Sequence, residues 1–319
     1  MLIVDKLISR IDEKSCPIVV GLDPLIEGIP EHIKNQAIAE HGNTLQGAAE
    51  ALFQFNRELL EILNPIIPAV KLQMACYELY GQWGIEVFNR TVILAKSMGF
   101  VVIDDSKRND IGSSASLYAV GHLGNTPLIE GVDNSIKADF LTINPFLGND
   151  SITPFVEQAT LNNKGLFILV RTSNPSAKQY QTATIGGLPL YEVIAGDVQS
   201  LAKEHPGENR YSSIGAVVGA TCDEEVNTLR ELMPNVFFLM PGYGAQGGTA
   251  DQVVTAFQND GYGAIVNSSR GIIFAYRQPM FKEDYPGRKW KQASLLAANL
   301  MRDDLLRSLK QAGKLPKNW

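Results

Sequence analysis

The chain has 319 residues, of which 45% are hydrophobic and 19% are charged. This length fits one large α/β domain or two ordinary domains, and the hydrophobic share is enough for a sizeable core. With 28 basic and 34 acidic side chains the net charge is −6, which argues against a nucleic-acid-binding surface and means that an anionic ligand must be met by a local positive cluster.

The N-terminal segment, MLIVDKLISRIDEKSC, spaces apolar residues like one face of a helix, and Asp5 and Lys6 interrupt any signal-peptide core. No apolar run in the sequence approaches the length of a membrane span. The cysteines Cys16, Cys76 and Cys222 form no C-x-x-C pair and the histidines are scattered, which argues against a disulfide framework or a structural zinc site. We therefore expect a cytoplasmic protein that uses no metal and has no membrane or nucleic-acid partner.

Short apolar runs recur along the chain, each followed by polar or glycine-rich residues and then by a segment with helical periodicity. Eight runs begin at Pro17, Pro68, Gly99, Ala138, Gly165, Gly215, Asn235 and Gly263. Strands alternating with helices predict a parallel sheet, and a count of eight favours closure into a (β/α)8 TIM barrel. Segments 48–63 and 224–232 are predicted helices, and long irregular connections are expected around 127–135 and at 174–189. With no repeat or linker composition, we expect residues 1–319 to form a single domain.

The third apolar run, VVIDDSKRND at 101–110, ends in five charged residues within seven positions. Residues two apart on a strand share a face, so Asp105 and Lys107 point the same way if the extended geometry persists. A solvated turn would also account for these charges. Other predicted strands end in polar residues too, and in a barrel these would converge on one mouth at the carboxyl ends of the strands. They are Asp23, Lys71, Ser173 and Asn174.

The seventh and eighth connections indicate a phosphate site. PGYGAQGGT at 241–249 offers closely spaced backbone N–H donors, and NSSRG at 267–271 adds hydroxyls and Arg270, in the two loops where barrels often bind phosphate. A tight turn is the alternative explanation of the glycines. The literal G-x-G-x-x-G in the first loop does not favour dinucleotide binding, because it comes late in the chain and no acidic residue follows about 20 positions later.

Taken in chain order, the motifs GLDP, KLQ, DDSKRNDIGSSA, RTSNP, VVGAT, PGYGAQGG and NSSRGI resemble those of the orotidine 5′-phosphate decarboxylase family, in its longer bacterial form. The resemblance covers nearly the whole chain. It implies cofactor-free decarboxylation of orotidine 5′-phosphate to UMP, the last step of pyrimidine nucleotide synthesis, by a homodimer. Leu72 departs from the proline expected in the longer form, which affects strand geometry more than chemistry.

The resemblance also implies a catalytic set. Lys71, Asp105, Lys107 and Asp110 match the family's alternating charged network, with Asp110 reaching into the neighbouring subunit's site. Lys107 would stabilise the carbanion formed at C6 and deliver the proton, while Asp105 would lie near the substrate carboxylate. Lys71 and Asp110 would hold these two side chains in position.

The remaining matches are substrate contacts. Asp23 matches a ribose-binding aspartate and Ser173 a pyrimidine contact, while Gln246 and Arg270 match phosphate contacts. Ser114 matches a hydroxyl that the second subunit supplies to the ribose or base. Phosphate binding would provide remote binding energy for loop closure and substrate placement, so losing Arg270 should slow turnover although it touches no reacting bond.

Three other functions are consistent with parts of the pattern. A sugar-phosphate decarboxylase on a related barrel shares D-x-K-x-x-D but uses magnesium, and usually carries an acid where Lys71 stands. A Schiff-base aldolase would use Lys71 or Lys107 and be trapped by borohydride with its substrate. A catalytically silent nucleotide-binding barrel would bind UMP without turnover. In each case Asp104 and Arg108 are interpreted as structural or surface charges.

Overall fold

The structure, a computed structural model, describes residues 1–133, 137–220, 223–244, 247–285 and 287–319. Eight parallel strands form a closed barrel in which each strand pairs with the next one along the chain and the last pairs with the first. The predicted (β/α)8 TIM barrel is confirmed. The strands are β1 (Ile18–Leu22), β2 (Ala69–Gln73), β3 (Val101–Arg108), β4 (Phe140–Ile143), β5 (Gly165–Arg171), β6 (Ser212–Val218), β7 (Val236–Met240) and β8 (Ala264–Ser268).

Helices fill the connections between the strands. In chain order they are α1 (Ile3–Lys14), α2 (Glu31–His41), α3 (Leu45–Leu63), α4 (Ala75–Glu78), α5 (Gly81–Ser97), α6 (Gly112–Leu123), α7 (Asn149–Leu161), α8 (Lys178–Gln181), α9 (Leu190–Glu204), α10 (Asp223–Leu232), α11 (Ala250–Val254), α12 (Arg270–Ile273), α13 (Pro279–Lys282) and α14 (Trp290–Gln311). Short 3-10 helices cover Ile26–Gly28, Pro175–Ala177, Ala275–Arg277 and Gly287–Lys289. The helices predicted at 48–63 and 224–232 are α3 and α10.

The two long connections contain more regular structure than the sequence predicts. The connection before β4 forms a small antiparallel hairpin from Thr126–Pro127 and Val132–Asp133. The connection after β5 contains α8 and a second hairpin, Thr184–Ile185 with Leu188–Pro189. Among the described residues no helix has both the length and the apolar composition that crossing a bilayer requires.

Barrel side chains alternate between an inner and an outer core, because successive residues of a strand point to opposite faces. The inner core combines inward residues such as Val101, Ile103 and Phe140 with one face of α1, which seals the bottom of the barrel. The α1 residues in this core are Ile3, Val4, Leu7, Ile8 and Ile11. Leu2, an apolar residue of the N-terminal segment whose spacing predicted this helix, is 40% exposed because it precedes the first residue of the helix.

Polar groups therefore collect at the opposite end of the barrel. Above the apolar inner layer, the inward positions of β2 and β3 change to Lys71 and Asp105, and that of β8 changes to Asn267. Helix α14 packs across the outside, where the ring of Trp290 lies 4.8 Å from that of Phe55 on α3. The closed bottom and covered sides leave the carboxyl ends of the strands as the open face of the barrel.

Candidate active site

A cavity of about 450 Å³ opens at the carboxyl ends of the strands. Leu169, Val217 and Leu239 form an apolar wall, and charged side chains from β1, β2 and β3 face it. The predicted site residues that the structure brings into this cavity are Asp23, Lys71, Asp105, Lys107, Ser173 and Arg270. Each strand contributes only one or two of these residues, so closure of the barrel brings the site together.

The Asp105 carboxylate lies at the centre of the charged side and is only 6% exposed. Its Oδ1 accepts hydrogen bonds from Lys107 Nζ at 2.6 Å and from Thr142 Oγ1 at 3.0 Å. Its Oδ2 accepts from Lys71 Nζ at 2.7 Å and from Gln73 Nε2 at 3.1 Å. Two cations and two neutral donors therefore surround one buried carboxylate.

The local backbone of β3 brings Asp105 and Lys107 to the same cavity. Strand β3 extends to position 108, and Asp105 continues the inward series of Val101 and Ile103, whereas the register shifts between positions 104 and 108. Lys107 has φ of 50°, in the left-handed region that residues other than glycine seldom occupy. Its side chain remains 42% exposed, which leaves the ammonium accessible from the cavity.

Asp23 links the first strand to this cluster. Its Oδ1 lies 3.4 Å from Lys71 Nζ, and its Oδ2 accepts a hydrogen bond of 2.6 Å from Ser269 Oγ at the end of β8. The close approach of the two segments requires Gly21, since a Cβ there would lie 1.8 Å from Ser269 Oγ. The ends of β1, β2 and β8 are thereby joined around one carboxylate.

The charges of the cluster shift the pKa values of Lys71 and Asp105 in the direction that keeps both groups charged. Burial alone would lower the pKa of Lys71, but the negative charges of Asp23 and Asp105, with their hydrogen bonds, raise it above its ordinary value. Burial alone would raise the pKa of Asp105, but the charges of Lys71 and Lys107, with their hydrogen bonds, lower it well below its ordinary value. At neutral pH the Asp105 carboxylate is therefore ionised and the Lys71 ammonium beside it is protonated.

The predicted phosphate side is only partly described. Arg270 begins α12 and lines the cavity, whereas Gln246 lies outside the described residues. The backbone N–H groups of Gly244, Gly247 and Gly248 donate to carbonyls within the same loop rather than toward the cavity. Tyr243 anchors this loop, because its hydroxyl donates a 2.6 Å hydrogen bond to Asp304 on α14.

A second cavity lies beside the first and is larger, at about 970 Å³. It runs between α14 and the segment after β8, and it shares Tyr243 and Arg270 with the smaller cavity. Its lining is mainly apolar and includes none of the lysines that contact Asp105. We assign the chemistry to the smaller cavity because the charged cluster lies there.

Two predicted site residues lie away from the cavity of their own chain. Asp110 follows β3, and its carboxylate accepts a 2.8 Å hydrogen bond from the Ile111 N–H. Ser114 is exposed on the first turn of α6. Neither residue is among the described residues that line the cavity.

The polar residues Gln73 and Thr142 belong to the charged cluster although the sequence did not single them out, whereas Asn267 and Ser269 lie in the NSSRG segment already predicted to bind phosphate. Only Gln73 had a signal, because it lies two residues after Lys71 and so shares its face of β2. A lone threonine in an apolar run has no pattern that distinguishes it from a buried structural residue.

Asp104 and Arg108 belong to a separate network on the outer face of β3. His122 Nδ1 contacts Asp104 Oδ2 at 2.6 Å, and Arg108 Nε donates to His122 Nε2 at 3.2 Å. Arg108 also donates to Glu78 at 2.9 Å, and Ser106 donates to Asp104. Asp104 is only 3% exposed, so it is a buried structural charge rather than a surface charge.

Fold and site together define a (β/α)8 barrel enzyme in which lysine and aspartate side chains from adjacent strands alternate at the barrel mouth. The model of the orotidine 5′-phosphate decarboxylase / HUMPS family matches residues 17–279. The chain belongs to this family.

Relatives and solved structures agree with this assignment. Orotidine 5′-phosphate decarboxylase of Caldicellulosiruptor saccharolyticus is 37% identical over 301 residues, which cover 94% of this chain and 97% of that protein. The Clostridium kluyveri enzyme of the same name is 36% identical over 307 residues, covering 96% and 98%. A crystal structure from Toxoplasma gondii has a TM-score of 0.78 at 28% identity and covers 97% of both chains.

Proposed function

We propose that this chain decarboxylates orotidine 5′-phosphate to UMP, without a cofactor, in pyrimidine nucleotide synthesis. The observation that carries the proposal is the alternation of Lys71, Asp105 and Lys107 at the mouth of the barrel, with hydrogen bonds of 2.6 and 2.7 Å between the lysines and the carboxylate. The curated relatives named above are orotidine 5′-phosphate decarboxylases, which favours this activity over the HUMPS branch of the family.

In the proposed reaction the bond between C6 and the carboxylate breaks, and its electron pair remains on C6. CO₂ leaves, the ammonium of Lys107 donates a proton to C6, and solvent returns the proton to Lys107. A preorganised ammonium stabilises charge that develops in the transition state without reorganisation at the moment of reaction. The 42% exposure of Lys107 leaves it able both to reach the substrate and to exchange its proton.

Asp105 acts on the substrate carboxylate. Two like charges about 4 Å apart repel by roughly 4 kcal/mol at an effective dielectric of about 20, and this repulsion disappears when CO₂ departs. The low pKa of Asp105, which the neighbouring lysines maintain, keeps the carboxylate charged when the substrate enters. Lys71, hydrogen-bonded to both Asp105 and Asp23, fixes the orientation of this carboxylate.

Binding contacts surround this centre. Asp23 contacts the ribose and Ser173 the pyrimidine, while Arg270 and Gln246 bind the phosphate. Two observations support these four assignments. Asp23, Ser173 and Arg270 line one cavity, and all four positions match the family pattern. Arg270 lines this cavity, where a guanidinium suits the binding of an external anion.

The active unit is a homodimer in which Asp110 and Ser114 of one subunit complete the site of the other. Both residues lie outside the cavity of their own chain, and exposed apolar side chains occur near them in the sequence and on the connection after the next strand. Ile111 is 56% exposed, Leu117 73% and Phe146 74%, all on connections that follow β3 and β4. Large exposed apolar groups of this kind mark association surfaces.

The enzyme is a single-domain cytoplasmic protein. Support for one domain comes from the barrel, whose strands extend from Ile18 to Ser268, and from α14, which packs back onto α3. Cys16 and Cys76 are both free thiols, as expected in a reducing compartment. Limited proteolysis that released a stable fragment would argue for two domains, and cell fractionation tests the compartment.

The test of the activity follows the absorbance of orotidine 5′-phosphate with wild-type and Lys107→Ala protein, each with and without EDTA. Loss of a general acid lowers turnover by about 10²- to 10⁴-fold, so the variant should be nearly inactive while the wild type resists EDTA. Lys310→Ala, an exposed lysine near the end of α14, serves as the matched control and should retain full activity.

Three outcomes would change the assignment. Turnover that EDTA abolishes would favour a magnesium-dependent reaction. Borohydride trapping of the chain on a carbonyl substrate would favour the aldolase. Tight UMP binding without turnover would identify a silent nucleotide-binding barrel.

A further inference from the structure

Thr142 lies on the inner face of β4, two residues after Phe140, and its side chain is completely buried. Its hydroxyl lies between the two central residues of the charged cluster. Thr142 Oγ1 accepts a 3.0 Å hydrogen bond from the backbone N–H of Lys107 and donates one of 3.0 Å to Asp105 Oδ1. One hydroxyl therefore bridges the backbone of one residue and the carboxylate of the other.

The backbone at Lys107 requires such support. Its φ of 50° is costly for a residue with a side chain, and a conformation of this kind persists only when surrounding contacts impose it. At this point β3 also loses regular pairing with β4, where the register shifts between positions 104 and 108. The N–H of Lys107 consequently finds a side-chain acceptor on β4 in place of a strand carbonyl.

We propose that Thr142 is a positioning residue for the decarboxylation: it holds Lys107 in the left-handed conformation and fixes Asp105 Oδ1, so that ammonium and carboxylate face the cavity as a pair. This inference rests on the proposed function. The hydroxyl can serve both neighbours because it supplies one donor and two acceptor lone pairs. Valine has nearly the same shape but can serve neither of them.

Removal of the hydroxyl should affect turnover more than binding. In Thr142→Val the Lys107 N–H loses its acceptor and Asp105 loses one donor, while the proposed contacts to ribose and phosphate remain. Hydrogen bonds that involve a charged partner correspond to roughly 10- to 100-fold in rate, so kcat should fall by about that factor while KM changes by less than about threefold. Thr142→Ser, which keeps the hydroxyl, should stay within about threefold of wild type.

A second pair of variants protects the test against a folding defect. Thr142→Ala and Thr142→Ser differ only in the hydroxyl, so their ratio of kcat should equal the ratio between Thr142→Val and wild type. Thr91→Val is the matched control, because Thr91 is an equally buried threonine whose hydroxyl bonds to Val87 on the helix. It should lower stability without changing kcat.

The inference is overturned if the wild type decarboxylates the nucleotide and both hydroxyl-free variants retain its kcat. It is equally overturned if a crystal structure of Thr142→Val shows Lys107 unchanged in φ and in its distance to Asp105. An inactive wild type, by contrast, would contradict the proposed function itself. That crystal structure would then still show whether Thr142 sets the Lys107 backbone.

Discussion

Asp105 shows how a single residue can be buried and still remain charged. Each carboxylate oxygen accepts one hydrogen bond from a lysine and one from a neutral donor, so neither oxygen lacks a partner. Burying an unpaired carboxylate would cost far more than any of these contacts returns individually. The sequence predicted the two lysines from their strand positions, but not the neutral donors, whose partners depend on the register between β2, β3 and β4.

This environment predicts a specific pH dependence of stability. The folded pKa of Asp105 lies below its unfolded value of about 3.9, so its contribution is present above that pH and is lost as the pH falls toward the folded pKa. Asp105→Asn lacks this titration. Between pH 7 and pH 3 its free energy of unfolding should therefore fall by about 1 kcal/mol less than that of the wild type.

Urea unfolding at several pH values measures this difference. Between pH 6 and pH 8 the gap between the two proteins should be constant, which provides an internal control because Asp105 is ionised in both states there. Parallel curves down to pH 3 would contradict a depressed pKa at Asp105.

At the scale of the element, β3 is a strand with two polar faces. The expectation that Asp105 and Lys107 share a face assumed an extended strand, which Lys107 interrupts with a φ of 50°, yet both side chains reach the same cavity. The outer face was not predictable in detail, because Asp104 meets His122 and Arg108 meets Glu78 from separate helices. Such partners become visible only when α4 and α6 are packed against the barrel.

The outer network should stabilise the strand without taking part in the chemistry. His122→Phe keeps the ring volume but leaves the buried Asp104 carboxylate without its nitrogen donor and Arg108 Nε without its acceptor, while Arg108 keeps Glu78. Removing one partner of a buried charged group costs about 2–4 kcal/mol, so the free energy of unfolding should fall by that amount while kcat at 25 °C changes little.

His32→Phe on the exposed face of α2 is the matched control for this variant, and it should change stability by less than about 0.5 kcal/mol. Chemical denaturation of the three proteins compares their stabilities. Equal stability of His122→Phe and wild type would show that the network contributes nothing.

At the scale of the whole molecule, barrel closure brings distant residues together. Asp23, Lys71, Asp105 and Ser269 lie in or directly after four different strands, yet they form one continuous set of contacts because parallel strands all end at the same face. The repeated apolar runs therefore predicted both the fold and the location of the site. They could not predict which surface would pack against the proposed second subunit, since that depends on side chains arranged across several connections.

The proposed sharing of the active site between two subunits predicts complementation between two inactive chains. Lys107→Ala and Asp110→Ala should each abolish turnover alone, because every site then lacks one of the two groups. When the two chains are co-expressed in equal amounts, half of the dimers are hybrids, and each hybrid contains one intact site because the intact Asp110 is supplied in trans to the intact Lys107. Activity should thus return to about a quarter of the wild-type value per chain.

The matched control for this experiment co-expresses Lys107→Ala with Asp105→Asn. Both changes affect groups that stay in their own subunit's cavity, so each site of the hybrid remains damaged and activity should not recover. Recovery only in the Asp110 pair requires that Asp110 crosses the subunit boundary. If purified hybrids of Lys107→Ala and Asp110→Ala remain inactive, Asp110 acts within its own chain, and the exposed residues around it need another explanation.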